Sequence, residues 1–171
     1  MRRWFAEHDI PAADLVLDNG SGLSRSERST AQALTALLQA ANASPHARHF
    51  VDSLAIAGVD GTAARLKERS PQSHVIGNAW LKTGSLRDVA SVAGYVQGQS
   101  GQRYTVVAVL HHPNAHQARA ALDQLLEWTV RDTSATRAAA PRVRCARARA
   151  AVATGAGDRP GCRSRVPRCH G

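Results

Sequence analysis

With 171 residues, 43% of them hydrophobic, the chain has length enough for one domain with a real apolar core. Its formal net charge of +9 suggests a polyanionic partner, yet residues 133–171 hold nine of the 22 Lys+Arg and one of the 13 acids. The first 132 residues are left at +1, 13 basic against 12 acidic groups, which excludes an electrostatic case for nucleic-acid binding by the body of the chain.

The first element is a helix-like "RRWFAEH" that follows Met1 directly, as if the text entered partway through a domain. Two arginines follow Met1, but no apolar stretch of signal-peptide length comes next, so the chain as written is expected to stay in the cytoplasm. No segment approaches a membrane span. "DLVLDN", residues 14–19, is a short apolar run read as a brief strand, and "GSGLSR" after it is a loop. Ser29 is expected to cap an Ala/Leu-rich helix through Asn42, with Gln32 completing a capping box and Leu34, Leu37 and Leu38 on its buried face. "SPHARHFVDSL" reads as a second short helix capped by Ser44 with Pro45 in its first turn. "AGVDGT" breaks it, and "AARLKER" adds one or two turns.

Three strands are expected next: "NAWLKTGSL" (78–86), "VASVAGYVQG" (89–98) and "QRYTVVAVLHH" (102–112), rich in β-branched and aromatic residues, with "GQSGQ" as a tight connection between the last two. "HPNAHQARAALDQLLEWTVRD" closes the body as an amphipathic helix, with Ala118, Leu122, Leu125, Leu126 and Trp128 available for packing. The pattern is α+β, a three-strand antiparallel meander packed by helices over residues 1–132. Residues 133–171 form a separate Ala/Arg-rich tail, +8 in charge and without an aromatic residue, expected to be disordered. Cys145, Cys162 and Cys169 all lie in it at spacings that match no zinc pattern. Arg-rich, Lys-free text of this kind also arises when a GC-rich gene is read out of frame, a question the nucleotide sequence decides.

The chemistry centres on Lys82-Thr83-Gly84 in the first long strand. K-T-G is one of three elements, with S-x-x-K and S-D-N, of an acylating-serine signature. A strand edge offers backbone N–H groups to an added peptide strand. Lysine supplies fixed charge for a terminal carboxylate, threonine a hydroxyl donor, and glycine room for close approach.

"LDNGSGLSR" (17–25), "AGVDGT" (57–62), "KTGSLRDVASVAGYV" (82–96) and "HHPNA" (111–115) occur in this order, and together they resemble the C-terminal part of the class C low-molecular-mass penicillin-binding proteins. These are serine-type D-alanyl-D-alanine carboxypeptidase–endopeptidases of the bacterial periplasm. The resemblance covers roughly residues 1–132 and implies a DD-peptidase/β-lactamase-like transpeptidase fold, with a peptidoglycan stem peptide or a β-lactam as ligand. It implies no cofactor and no metal. By position, Lys82 and Thr83 bind the ligand carboxylate, Gly84 allows its approach, and the Ser85 backbone N–H is an oxyanion donor.

The attacking serine of that family has no counterpart in these 171 residues. Lys67 and Lys82 are the only lysines, and Ala64 and Ala79 stand three places before them. No serine precedes an Asn or Asp by two positions either. The chain is therefore expected to retain the K-T-G strand and to be inactive alone. Other combinations carry less. Ser21, Asp18 and His8 form a triad only on paper, His111, His112 and His116 lack a further ligand at helical spacing, and Asp60 reads as a turn residue. A different class remains open, a non-catalytic protein whose Arg-rich tail binds nucleic acid or anionic membrane.

Overall fold

The structure, a computed structural model, describes residues 2–132. The expected tail, with its cysteines, lies outside them.

Five helices and four strands make up the described chain. Helix α1 is Arg2–Glu7, α2 Ala31–Ala43, α3 Ala47–Asp52, α4 Arg65–Arg69 and α5 Arg119–Val130. The strands are β1 (Ala55–Ile56), β2 (Ala79–Leu86), β3 (Val89–Gln97) and β4 (Arg103–His111), in the spatial order β1-β2-β3-β4 and antiparallel throughout. The three long strands fall within a residue of their expected limits, because the alternation of side chains and the turn text agree. A two-residue connection, Arg87-Asp88, joins β2 to β3, with Leu86 paired to Val89. Between β3 and β4 the Gly98 N–H meets the Gln102 carbonyl at 2.8 Å while Gly101 turns through a φ of 84°.

The sheet has a fourth strand that the expected meander lacks. β1 pairs only at Ala55 with Leu81 and at Ile56 with Trp80, and two residues carry no readable period. "DLVLDN" forms a single bridge, Val16 with Arg28, instead of a strand. Of that run Leu15 alone is buried, against Phe5 and Ile10 beside α1, while Val16 and Leu17 stay exposed.

Helix ends also moved. Thr30, not Ser29, caps α2, its hydroxyl accepting from the Ala33 N–H at 3.0 Å, so Gln32 has no capping-box role. Ser44 closes α2 by donating to the Ala41 carbonyl at 2.8 Å; α3 begins only after His46. The last helix starts at Arg119, after a series of turns through 112–118, and buries Leu122, Leu126 and Val130 at four-residue spacing. Trp128 lies off that stripe and is 76% exposed, so it is not a packing residue.

Helices cover both faces of the sheet. Ala79 and Leu81 of β2, Ala90, Val92 and Val96 of β3, and Val106 of β4 pack with Leu66 and with α5. On the other face Tyr95, Trp80, Ala93 and Val107 meet Leu38 of α2 and Val51 of α3. Tyr95, 1% exposed, donates its hydroxyl to the Leu38 carbonyl at 2.5 Å and so pins α2 to the sheet. Tyr95→Phe keeps the ring and removes that added hydrogen bond while the Leu38 carbonyl keeps its place in the helix ladder, and urea unfolding should register a loss of about 1 kcal/mol. An unchanged midpoint would mean that the hydroxyl contributes nothing to holding α2.

Candidate functional site

β2 carries the site, and its backbone polarity follows from one hydrogen bond. The Ala57 N–H donates to the Ala79 carbonyl at 2.9 Å, on the β1 side of the sheet. Strand alternation then turns the backbone groups of 81, 83 and 85 to that side and those of 80, 82 and 84 toward β3. Because β1 reaches only to Leu81, the outward groups of Thr83 and Ser85 form an open edge. The Thr83 carbonyl on it accepts from Lys82 Nζ at 2.7 Å.

The side chains divide around this edge. Lys82 and Gly84 share a face with Trp80 and Ser91, and toward the hairpin that face is open, with Lys82 exposed and Val109 47% exposed. A Cβ on Gly84 would lie 2.3 Å from Ser91 Oγ. Thr83 and Ser85 face the α5 side. There the Thr83 hydroxyl pairs with the Thr62 hydroxyl at 2.6 Å, and the two line a cleft of about 250 Å³ with Ser85, Arg65, His116 and Arg119. The four expected site residues therefore flank one edge from its two sides, with the hydroxyl of Thr83 turned away from the ammonium of Lys82.

Two ionic clamps hold the surrounding elements. Arg69 of α4 grips Asp123 of α5 through two nitrogens at 2.8 and 2.9 Å. Glu127 of α5 accepts from Ser73 Oγ at 2.7 Å, from the His74 N–H at 3.1 Å and from Arg131 Nε at 2.7 Å, and meets His74 Nδ1 at 2.7 Å. It thereby fastens the loop that leads into β2. Burial alone would raise the Glu127 carboxyl, but the hydrogen bonds from Ser73, His74 and Arg131, with the charge of Arg131, outweigh it and hold the group at about 2. The folded state thus favours the ionised form. Its contribution is complete above the ordinary value of 4.5 and disappears as the pH falls toward 2. Glu127→Gln should cost about 1–2 kcal/mol at neutral pH, discounted for the exposed partners, and much less in strong acid. Chemical denaturation across that range checks it; a penalty independent of pH would assign the effect to packing.

The other candidates separate. His8 stacks on Trp4, Asp18 accepts from Ser24 at 2.6 Å, and Ser21 Oγ accepts from the Leu23 N–H at 3.2 Å, so these three are loop and helix residues with their own partners. Asp60 holds a turn, its carboxylate accepting from the Ile56 N–H at 2.6 Å. His112 Nδ1 accepts from the Asn114 N–H at 3.1 Å, whereas His116 faces the cleft. Sequence reasoning missed Thr62, Arg65 and Arg119, since nothing in the text shows that three separated segments converge beside Thr83.

A family model described as D-Ala-D-Ala carboxypeptidase 3 (S13) matches residues 1–131. The chain belongs to that family. Among curated relatives, this S13 chain is 36% identical over 98 residues to a D-alanyl-D-alanine carboxypeptidase of Actinomadura sp. (strain R39), covering 54% of this chain and 18% of the relative. It is 35% identical over 118 residues to a carboxypeptidase of Mycobacterium tuberculosis, covering 66% and 26%. Among solved structures, penicillin-binding protein 4 (dacB) from Haemophilus influenzae superposes with a TM-score of 0.58 at 25% identity, covering 73% of this chain and 30% of that one. The same protein has also been solved in complex with a β-lactam. The S13 chain spans 18–26% of the length of the curated relatives it matches. Among its described residues no helix is long and apolar enough to cross a membrane.

Proposed function

We propose that residues 82–85 are the peptide-docking edge of a serine-type D-Ala-D-Ala carboxypeptidase acting in peptidoglycan maturation in the periplasm, and that this chain by itself binds such a peptide without cleaving it. The observation that carries the proposal is the open stretch of β2 beyond Leu81, where Thr83 and Ser85 turn backbone groups outward that no neighbouring strand pairs, beside an exposed Lys82 whose ammonium meets the Thr83 carbonyl. An extended peptide adds there as a strand, with the Lys82 ammonium within reach of its carboxylate. The Ser85 N–H serves as the oxyanion donor. Membership of the S13 family and similarity to a protein solved with a β-lactam support the choice of ligand.

Titration of the full chain with a peptide ending in D-Ala-D-Ala tests this. Binding should weaken by about tenfold or more in Lys82→Ala and on amidation of the peptide terminus, since both remove one charge-assisted contact. Equal affinity for acid and amide, or an indifferent Lys82→Ala, would sink the assignment.

A further inference from the structure

The sheet has a second open edge, β4, at the end away from β1 and β2. Its polarity follows from the hairpin. The Gly98 N–H donates to the Gln102 carbonyl, so alternation turns the backbone groups of 104, 106, 108 and 110 toward β3 and those of 103, 105, 107, 109 and 111 outward. Among the described residues no backbone bond reaches that outer row. Edges of this length are ordinarily blunted by lysine, proline or a bulge. β4 has none of these: Arg103–His111 pairs with β3 in an unbroken register, and between its end residues lies the uncharged run "YTVVAVL". Val109 is exposed there, with Thr105 and Val107 half-buried. A second unpartnered surface adjoins the first. Asp123 and Glu127 hold one flank of α5 against α4 and the loop before β2, and the opposite flank carries Ala121, Leu125 and Trp128. Leu125, like Tyr104, Ala108 and Leu110 of β4, is only half-buried at the margin of the core, and Trp128 stands open to solvent.

We propose that the β4 edge is the interface of a two-fold homodimer, in which β4 pairs antiparallel with β4 of a second copy and the sheet continues through both. A two-fold axis at Val107 sets Val107 against itself, Thr105 against Val109 of the other copy, and Arg103 against His111. The central pairs are apolar, or a hydroxyl-bearing residue beside an apolar one, so no like charges meet in the middle of the ladder. Only the end pairs bring Arg103 to a histidine, and its guanidinium is already drawn over the Trp80 ring, 5.4 Å from the centroid. An unrelated extended peptide would satisfy the backbone row alone. A second copy satisfies both surfaces with one operation, because the same axis turns the two α5 flanks toward each other and leaves Leu125 and Trp128 of both copies lining the groove between them. Residues 1–132 carry a net charge of only +1, so two such bodies meet without strong repulsion. The interface uses the edge opposite the Lys82 site and does not rest on the peptide assignment.

Sedimentation velocity of the full chain over a concentration series tests the interface. A concentration-dependent passage from monomer to dimer is expected. Val109→Glu and Thr105→Lys should each raise the dissociation constant by about tenfold or more, because each buries a charge against an uncharged neighbour. Combined in one chain, the two substitutions set the new lysine of one copy against the new glutamate of the other, twice across the axis, and should restore most of the affinity. That recovery separates a broken interface from a misfolded chain. Trp128→Ala should weaken the dimer by a smaller factor. A monomer throughout the series overturns the dimer, and a dimer indifferent to both single substitutions overturns this surface. A dimer broken by both and not restored by the pair overturns the register. A monomer that binds a synthetic peptide of residues 103–111, or that cross-links position 109 to its own residues 133–171, gives the edge to another occupant and overturns the second copy. Sedimentation reads the dimer and peptide titration reads the Lys82 edge, so either fails without the other.

Discussion

Incubated with a fluorescent penicillin, this chain is expected to stay unlabelled. Acylation needs a serine hydroxyl whose proton a neighbouring base removes, and in the S-x-x-K arrangement the lysine one helical turn away is part of that machinery. Lys67 and Lys82 are preceded at that distance by Ala64 and Ala79. The serines near the K-T-G strand are no substitute. Lys82 Nζ is engaged with the Thr83 carbonyl, and Ser85 faces the other side of the sheet among guanidiniums. Ser91 shares the Lys82 face but sits directly across from Gly84, in the body of β3. Loss of a serine nucleophile lowers turnover on the order of a million-fold even where the rest of a site is intact. Hydrolysis of a D-Ala-D-Ala peptide should therefore be indistinguishable from the buffer rate, although the peptide binds. A labelled band at the mass of this chain, abolished by changing one serine, would overturn the proposal of binding without cleavage and identify the missing nucleophile.

Gly94→Ala should be the most damaging single methyl group in the described chain. Gly94 pairs with Leu81 on one side and Val106 on the other, at a φ of 153° that residues with a side chain rarely adopt. A Cβ built there lies 2.0 Å from the Trp80 carbonyl oxygen and 3.0 Å from Leu81 Cα. Both obstacles are backbone, so no rotamer change relieves them, and β2 must separate from β3 one residue before Lys82. The expected cost is about 4 kcal/mol or more, a large share of the 5–15 kcal/mol typical of a folded domain. Two other glycines calibrate it. Gly101→Ala meets nothing within 4 Å and pays only for its φ of 84°, about 1–2 kcal/mol. Gly84→Ala meets the Ser91 hydroxyl, a side chain that can rotate away. Urea unfolding of the three variants should rank Gly94→Ala far above the others. Equal midpoints would show that β2 and β3 are not paired in this register.

The long strands and the family were legible because both depend on local order in the text. Alternating Val, Ala and Tyr between turn residues specifies β3 and β4 with little help from elsewhere, and K-T-G names its chemistry in three adjacent letters. The belonging of residues 1–131 to the S13 family agrees with the resemblance carried by four short motifs. Helix caps were less legible, since Ser29 and Thr30 are adjacent hydroxyls and only the backbone geometry decides which one meets the Ala33 N–H.

Tertiary structure alone decided what lies around the motif. β1 exists because Ala55 and Ile56 find Leu81 and Trp80, a pairing at a separation of more than 20 residues that no window of sequence contains. The end of β1 in turn leaves Thr83 and Ser85 as open edge, and strand alternation sends the Thr83 hydroxyl to Thr62 and away from Lys82. Arg65, His116 and Arg119 look like scattered surface charge until packing of α4 and α5 on one face of the sheet brings them together. Local text determines which elements form, because periodicity and turn chemistry act between neighbours. Which side chains share a cleft is set by contacts between distant segments, whose energies appear only once the chain has folded.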